Sequence, residues 1–226
     1  MRVLAIDTAL EACSAAVLDS GAGGITASET LAMARGHAEA LMPLIARVMD
    51  LAELEFAELD RIAVTTGPGS FTGLRVGISA ARGIGLAAGK PAIGLSTLVG
   101  FAAPLIAEDD STHVVSAIDA RHGNVYLQVF GAGGRTLVAP RMASLRDAVR
   151  ATLTGPARVT GSAADLLAAA WPKGVQQPLA VEQRHAPDIG WIARLGAEAD
   201  QDGPPKPLYL RPPDAQPQDT GRLPRR

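Results

Sequence analysis

The stretch Thr66–Gly77, TGPGSFTGLRVG, decides how this chain is read. It follows a short apolar run, Arg61–Thr65, and leads into Leu74–Ala88, a segment rich in small residues. That is a strand, a tight turn and a helix in series. Gly67, Gly69 and Gly73, with Pro68, give the turn a backbone that few other residues accept. Amide groups at the start of the following helix offer an anion a place to bind. Gly69 and Ser70 are the residues positioned for it, with Asp7 and Thr8 as companions at the end of the first strand. The segment is not a Walker loop, because the Gly-Lys-Ser/Thr ending is missing. The Gly-x-Gly-x-x-Gly fingerprint also fails, since the third glycine falls one residue late. Ser70 lacks the flanking glycines of a nucleophile elbow, which argues against serine hydrolase chemistry. A structural turn and a ligand loop both stay open, the former favoured.

Working outward, the helix after this turn carries Gly77, Ser79, Ala80, Ala81, Gly83 and Gly85. Each helical glycine costs about 1 kcal/mol relative to alanine, so close helix approach is expected to return it. Upstream, Leu41, Leu44, Ile45, Val48 and Met49 recur at helical spacing within 38–52 and form one broad apolar stripe. Pro43 suits only the first turns of a helix, which predicts a start nearer residue 40 than 37. Strands are predicted at 3–8, 13–18, 25–30, 61–65 and 91–95, and Ser96 is placed to cap a helix running to about 107. After the polar break Glu108–Ser111 the plan repeats, with strands at 113–119, 125–130 and 135–142. A helix at 145–153 follows, capped by Ser144 and Asp147. A last helix lies near 188–199. The expected division is an N-terminal α/β lobe over 1–108, a similar C-terminal lobe over 109–211, and a disordered Pro-rich tail over 212–226.

Composition narrows the function classes. Apolar residues make up 47% of the 226 and charged residues 19%, enough for a sizeable core. Lys and Arg number 21 against 23 Asp and Glu, so no basic surplus advertises a protein that grips polyanions alone. Cys13 is the only cysteine, which rules out an internal disulfide and a thiolate metal cluster. No apolar run is long enough for a membrane span or signal peptide, so a cytoplasmic location is expected.

Other polar groups carry weaker signals. Asp7-Thr8 follows the first strand, where a carboxylate can contact a metal or phosphate. However, Ala9, Leu10 and Glu11 replace the glycine that close phosphate approach favours. His37 and Glu39 at a helix start read as a cap and a dipole partner, and Asp119-Ala120-Arg121 as a turn with an ion pair.

Taken together, LAIDT at 4–8, RGHAEALMP at 35–43, GPGSFTGLRVG at 67–77, PAIGLSTL at 91–98, the DAR turn at 119–121 and PLYLR at 207–211 resemble the TsaB family. That family is a glycoprotease-like branch of the actin-like ATPase (ribonuclease-H-like) fold. The resemblance implies an α/β protein of two similar lobes and a role in making threonylcarbamoyladenosine in tRNA. The chain would pair there with a catalytic TsaD-like subunit and a TsaE-like ATPase. It would form a homodimer when isolated and reach tRNA only through the complex, with no membrane involvement. No cofactor or metal of its own is implied, with ATP entering at the assembled complex. TsaD-type chains carry two histidines four residues apart at a helix start, a metal-holding spacing. In the same register this chain has Thr97 and Phe101, which implies a non-catalytic subunit. The helices at 38–52 and 74–88 are then expected to dimerise, through Leu41, Leu44, Ile45, Val48, Leu74, Gly77 and Ala81. A stand-alone actin-like kinase or ATPase, and less so a peptidase, are the alternatives.

Overall fold

A computed structural model describes residues 1–153 and 155–211. The expected tail at 212–226 lies outside the described residues. In the first half, β1 (Arg2–Asp7), β2 (Ala12–Asp19) and β3 (Gly24–Ala32) form an antiparallel meander. Helix α1 (His37–Leu51) then crosses to β4 (Arg61–Gly67), and α2 (Phe71–Ala88) crosses to β5 (Ala92–Ser96). Both of these strands lie parallel to β1, giving the order β3-β2-β1-β4-β5. Helix α3 (Thr97–Glu108) leads into the second half, where β6 (His113–Asp119), β7 (Asn124–Phe130) and β8 (Thr136–Ser144) repeat the meander. Helix α4 (Leu145–Thr152), β9 (Ala157–Gly161), α5 (Ala164–Ala169), β10 (Ala180–Gln183) and α6 (Ile189–Glu198) complete the chain. The second sheet runs β8-β7-β6-β9-β10, the same plan. This is the arrangement of two similar α/β lobes expected from the sequence. Among the described residues, no helix is long and apolar enough to cross a membrane.

The near-continuous apolar run of β1 follows from burial on both faces. Leu4 and Ile6 point to one side and Val3 and Ala5 to the other, and all four are buried. On the Leu4 side lie α1 and α2, contributing Leu41, Leu44, Ile45, Val48, Leu74 and Ala81 to one core. Gly77 is buried among them, because a Cβ there would stand 2.4 Å from the Thr8 hydroxyl. These seven residues are the ones expected at a dimer interface, and the structure assigns them to the chain's own interior. The periodicity identified the buried face correctly, but what buries it is the sheet of the same lobe.

Two further expectations change. Helix α1 begins at His37 and keeps Pro43 inside it. Pro43 faces solvent, so water can reach the Glu39 carbonyl left without its amide partner. The boundary after 108 also does not divide the chain into two self-contained lobes. Helix α6 returns to the first sheet and covers its Val3 face with Ile189, Ile192 and Ala193. Arg61 secures the end of that helix through hydrogen bonds to the Gly196 and Ala199 carbonyls, at 3.1 and 2.8 Å. Between the lobes, α3 packs Leu98 and Phe101 against Ile118, and Ala102 and Leu105 against Val114 and Phe130. Arg158, itself buried, ties down the last turn of α3 by donating to the Leu105 and Asp109 carbonyls.

The docking of α6 depends on the absence of a side chain at Gly196, where a Cβ would stand 2.3 Å from the Ala63 Cβ on β4. Gly196→Val is therefore expected to destabilise the fold by about 1–3 kcal/mol, read as a lowered Tm in thermal denaturation. An unchanged Tm contradicts this account of the α6 contact.

Candidate functional site

The turn after β4 lies directly against the turn after β1. Ser70 donates its amide to the Ala9 carbonyl at 2.7 Å, and the Thr8 hydroxyl donates to the Gly73 carbonyl at 2.7 Å. A Cβ on Gly69 would stand 2.4 Å from the Ala9 oxygen, and one on Gly73 would stand 2.1 Å from the Thr8 oxygen. Both obstacles are backbone, so nothing can yield. Gly69 and Gly73 are thereby explained by the clasp of two loops, while Gly67 holds a left-handed backbone at φ 114° against the Leu208 carbonyl. Ser70 caps α2, its Oγ accepting from the Gly73 amide at 3.3 Å.

Beneath this clasp sits Asp7, wholly buried. Its Oδ1 accepts from the Thr65 hydroxyl at 2.5 Å and from the Ala9 amide at 3.1 Å, while Oδ2 has no partner among the described residues. Its antiparallel partner across the sheet, Ser14, also has an unpaired hydroxyl. Burial pushes the Asp7 carboxyl up from 3.8 to about 6, against the opposing pull of Thr65, the Ala9 amide and His37. Of the four residues considered for anion contact, Asp7 and Thr8 are sealed from solvent; only Gly69 and Ser70 reach a cavity.

That cavity, about 510 Å³, opens between the lobes. Its polar rim includes Glu11, His37, Ser70, Asp119, Arg121 and His185. Arg121 lies 3.4 Å from Glu11 and 3.6 Å from Asp119, and the His185 ring lies 3.7 Å from Glu11. The DAR turn forms the ion pair expected of it, and Asp119 also accepts from the Arg121 amide at 2.8 Å. Arg121 and His122 both hold left-handed backbones, at φ 64° and 54°. His37 serves the opposite loop rather than its own helix, hydrogen-bonding the Leu10 carbonyl at 3.0 Å. The meeting of Glu11 and His185 has no local signature, since nothing short-range links positions so far apart.

Thr97 and Phe101 occupy one face of the first turns of α3, four residues apart and both buried. Phe101 fills the contact between α3 and the second sheet. Among the described residues, no group of three or more His, Cys, Asp or Glu side chains gathers in metal-binding proximity.

A family described as "TsaD: tRNA N6-adenosine threonylcarbamoyltransferase" matches residues 18–183. The Escherichia coli tRNA threonylcarbamoyladenosine biosynthesis protein TsaB is 40% identical over 126 residues, which cover 56% of this chain and 53% of that protein. The match thus spans about half the length of that relative. An uncharacterized protein of Mycobacterium tuberculosis is 35% identical over 215 residues, covering 95% of this chain and 94% of its own. A Pseudomonas aeruginosa crystal structure, of an uncharacterized protein similar to peptidase YeaZ, superimposes with a TM-score of 0.79 at 28% identity. It covers 93% of this chain and 99% of that one. A second structure, YeaZ from the same organism, gives 0.75 at 28% identity.

The buried carboxyl makes a pH-dependent prediction. A folded pKa near 6 above an unfolded value near 3.8 means that Asp7 contributes stability fully present below pH 3.8. That contribution is lost as pH rises through about 6. At about 1.4 kcal/mol per pH unit, the wild type should lose about 2.4 kcal/mol relative to Asp7→Asn between pH 4 and 7. Urea denaturation across that range measures it, and a constant difference between the two proteins contradicts the burial account.

Proposed function

The chain belongs to the TsaB family, and on that premise we propose that it is a non-catalytic partner subunit in tRNA threonylcarbamoyladenosine synthesis. Its role is to dock on, and hold in working order, a TsaD-like catalytic subunit. A TsaE-like ATPase joins the assembly and brings ATP to it. tRNA is reached through the complex, in the cytoplasm, and the isolated chain pairs with a second copy. The observation that carries this reading is the pair Thr97 and Phe101. Neither side chain suits a catalytic metal; both are buried, and Phe101 is held in the packing of α3 against Ile118. The shape of the loops supports it as well. The Ala9 and Thr8 carbonyls stand against Gly69 and Gly73, so protein backbone already fills the space that the glycines of this turn leave open. This weighs against a stand-alone kinase or ATPase. Ser70 spends its hydroxyl on the α2 cap, which weighs against a peptidase.

With Leu41 to Ala81 committed to the core, docking falls to the opposite sides of α1 and α2. These helices lie side by side on one face of the first sheet. Met42 on α1 is 49% exposed and Leu86 on α2 is 87% exposed. Ser79 and Gly83 keep the outer face of α2 shallow, and a Cβ on Gly83 would meet nothing. Two such helices per partner suit a standard interface of about 1,600 Å² in total.

Leu86→Glu and Gly83→Arg are each expected to abolish co-elution with the TsaD-like subunit of the same cell on gel filtration. Both substitutions point to solvent, so circular dichroism and Tm of the isolated chain should stay unchanged. If both variants co-elute as the wild type does, the docking face lies elsewhere.

A further inference from the structure

Aromatic residues are scarce in this chain, at 4%, and Phe101, Phe130 and Trp171 are buried. Phe71 and Tyr209 depart from that pattern. They are 55% and 47% exposed, and their rings stack at 5.5 Å with an interplanar angle of 27°. Arg75, one turn along α2, lays its guanidinium 3.7 Å from the Phe71 ring centroid and donates from Nε to the Tyr209 hydroxyl at 3.2 Å. The segment carrying Tyr209 is fixed in place. Leu208 donates its amide to the Thr66 carbonyl at 2.7 Å, and Pro205 packs where Gly94 has no side chain. Two stretches of chain far apart in sequence thus build a rigid tier of cation, ring and ring at the start of α2.

The two segments that build the tier carry no acid of their own. No Asp or Glu lies between Asp60 and Glu108, and none between Gly203 and Arg211. Among the described residues, no carboxylate pairs with Arg75, Arg82 or Lys206. In a chain of net charge −2, this helix and the strap across its start thus contribute only cations, with Asp200 and Asp202 lining the pocket beside Lys206.

We propose that Phe71, Arg75 and Tyr209 are the hot spot of the docking surface, and that they grip a carboxylate-bearing face of a protein partner. This rests on the reading of the chain as a docking subunit. Tyr and Arg held in advance in one geometry are what interface hot spots are made of. Arg75 uses Nε within the tier, which leaves its two terminal nitrogens for a carboxylate. A protein fits better than a nucleic acid, because the two rings already stack on each other and on the guanidinium, and a chain of net charge −2 offers no broad basic surface for a polyanion. The tier is also continuous with the outer face of α2, where Ser79, Gly83 and Leu86 follow Arg75 at helical spacing.

The test is titration calorimetry of the full-length chain against the TsaD-like subunit of the same cell. Arg75→Glu and Tyr209→Ala are each expected to weaken binding at least 10-fold. Tyr209→Phe, which keeps the ring, should weaken it less. Raising the salt from 50 to 500 mM should weaken the wild type more than Arg75→Gln. An unchanged Tm for each variant separates these losses from misfolding. If Leu86→Glu loses binding while Arg75→Glu and Tyr209→Ala keep wild-type affinity, the hot spot is overturned and the docking reading stands. If the wild type itself does not bind, the docking reading fails and takes the hot spot with it. If the two variants hold the protein partner normally but lose affinity for tRNA, the tier is a nucleic-acid contact and the proposal is wrong.

Discussion

The rest of the structure depends on the contact between two loop backbones, where the Thr8 and Ala9 carbonyls press against Gly73 and Gly69. The contact fixes the end of β1 against the start of α2, and so sets where that helix leaves the sheet. It also closes the lid over Asp7, whose Oδ2 has no hydrogen-bond partner among the described residues. A side chain at either glycine would force apart two stretches of backbone, neither of which can move aside alone. Glycine at these positions therefore serves close approach, and a phosphate is not needed to explain it.

From that clasp the outward face of α2 follows. Its inner side is committed to Ile6 and Val64 through Gly77, and to the rest of the core through Leu74 and Ala81. The helix therefore meets solvent with a shallow face ending in Leu86, and begins with the tier of Arg75, Phe71 and Tyr209. The strap carrying Tyr209 and helix α6 both come from the far end of the chain, yet both attach to the first sheet. The first lobe is completed only when the second has been threaded.

The local grammar of the chain was legible. The meander strands, the glycine-rich turn, the Ser144 cap and the duplicated plan all follow from spacing and turn chemistry, and all appear. What escaped was of two kinds. An apolar stripe such as Leu41–Met49 tells which side of a helix is buried, but not whether the same chain or another buries it. Contacts between remote positions, such as Arg61 with α6, Glu11 with His185 or Arg75 with Tyr209, leave no local trace at all. Short elements fared worst: β9, α5 and β10 hold too few residues for a period to show. In the candidate site, the glycine-rich loop was legible as a structural turn in preference to a ligand loop, whereas the second loop that it clasps, at Thr8 and Ala9, was not.

The central claim is that this chain enables a reaction it does not perform. The most direct measurement is threonylcarbamoyl transfer to tRNA in a reconstituted assay with the TsaE-like ATPase and ATP present. The TsaD-like subunit is supplied alone, this chain alone, or both together. The account predicts modified tRNA only when both are present, and none from this chain without the TsaD-like subunit at any concentration. Product formed by this chain alone, or full activity of the TsaD-like subunit without it, would contradict the account.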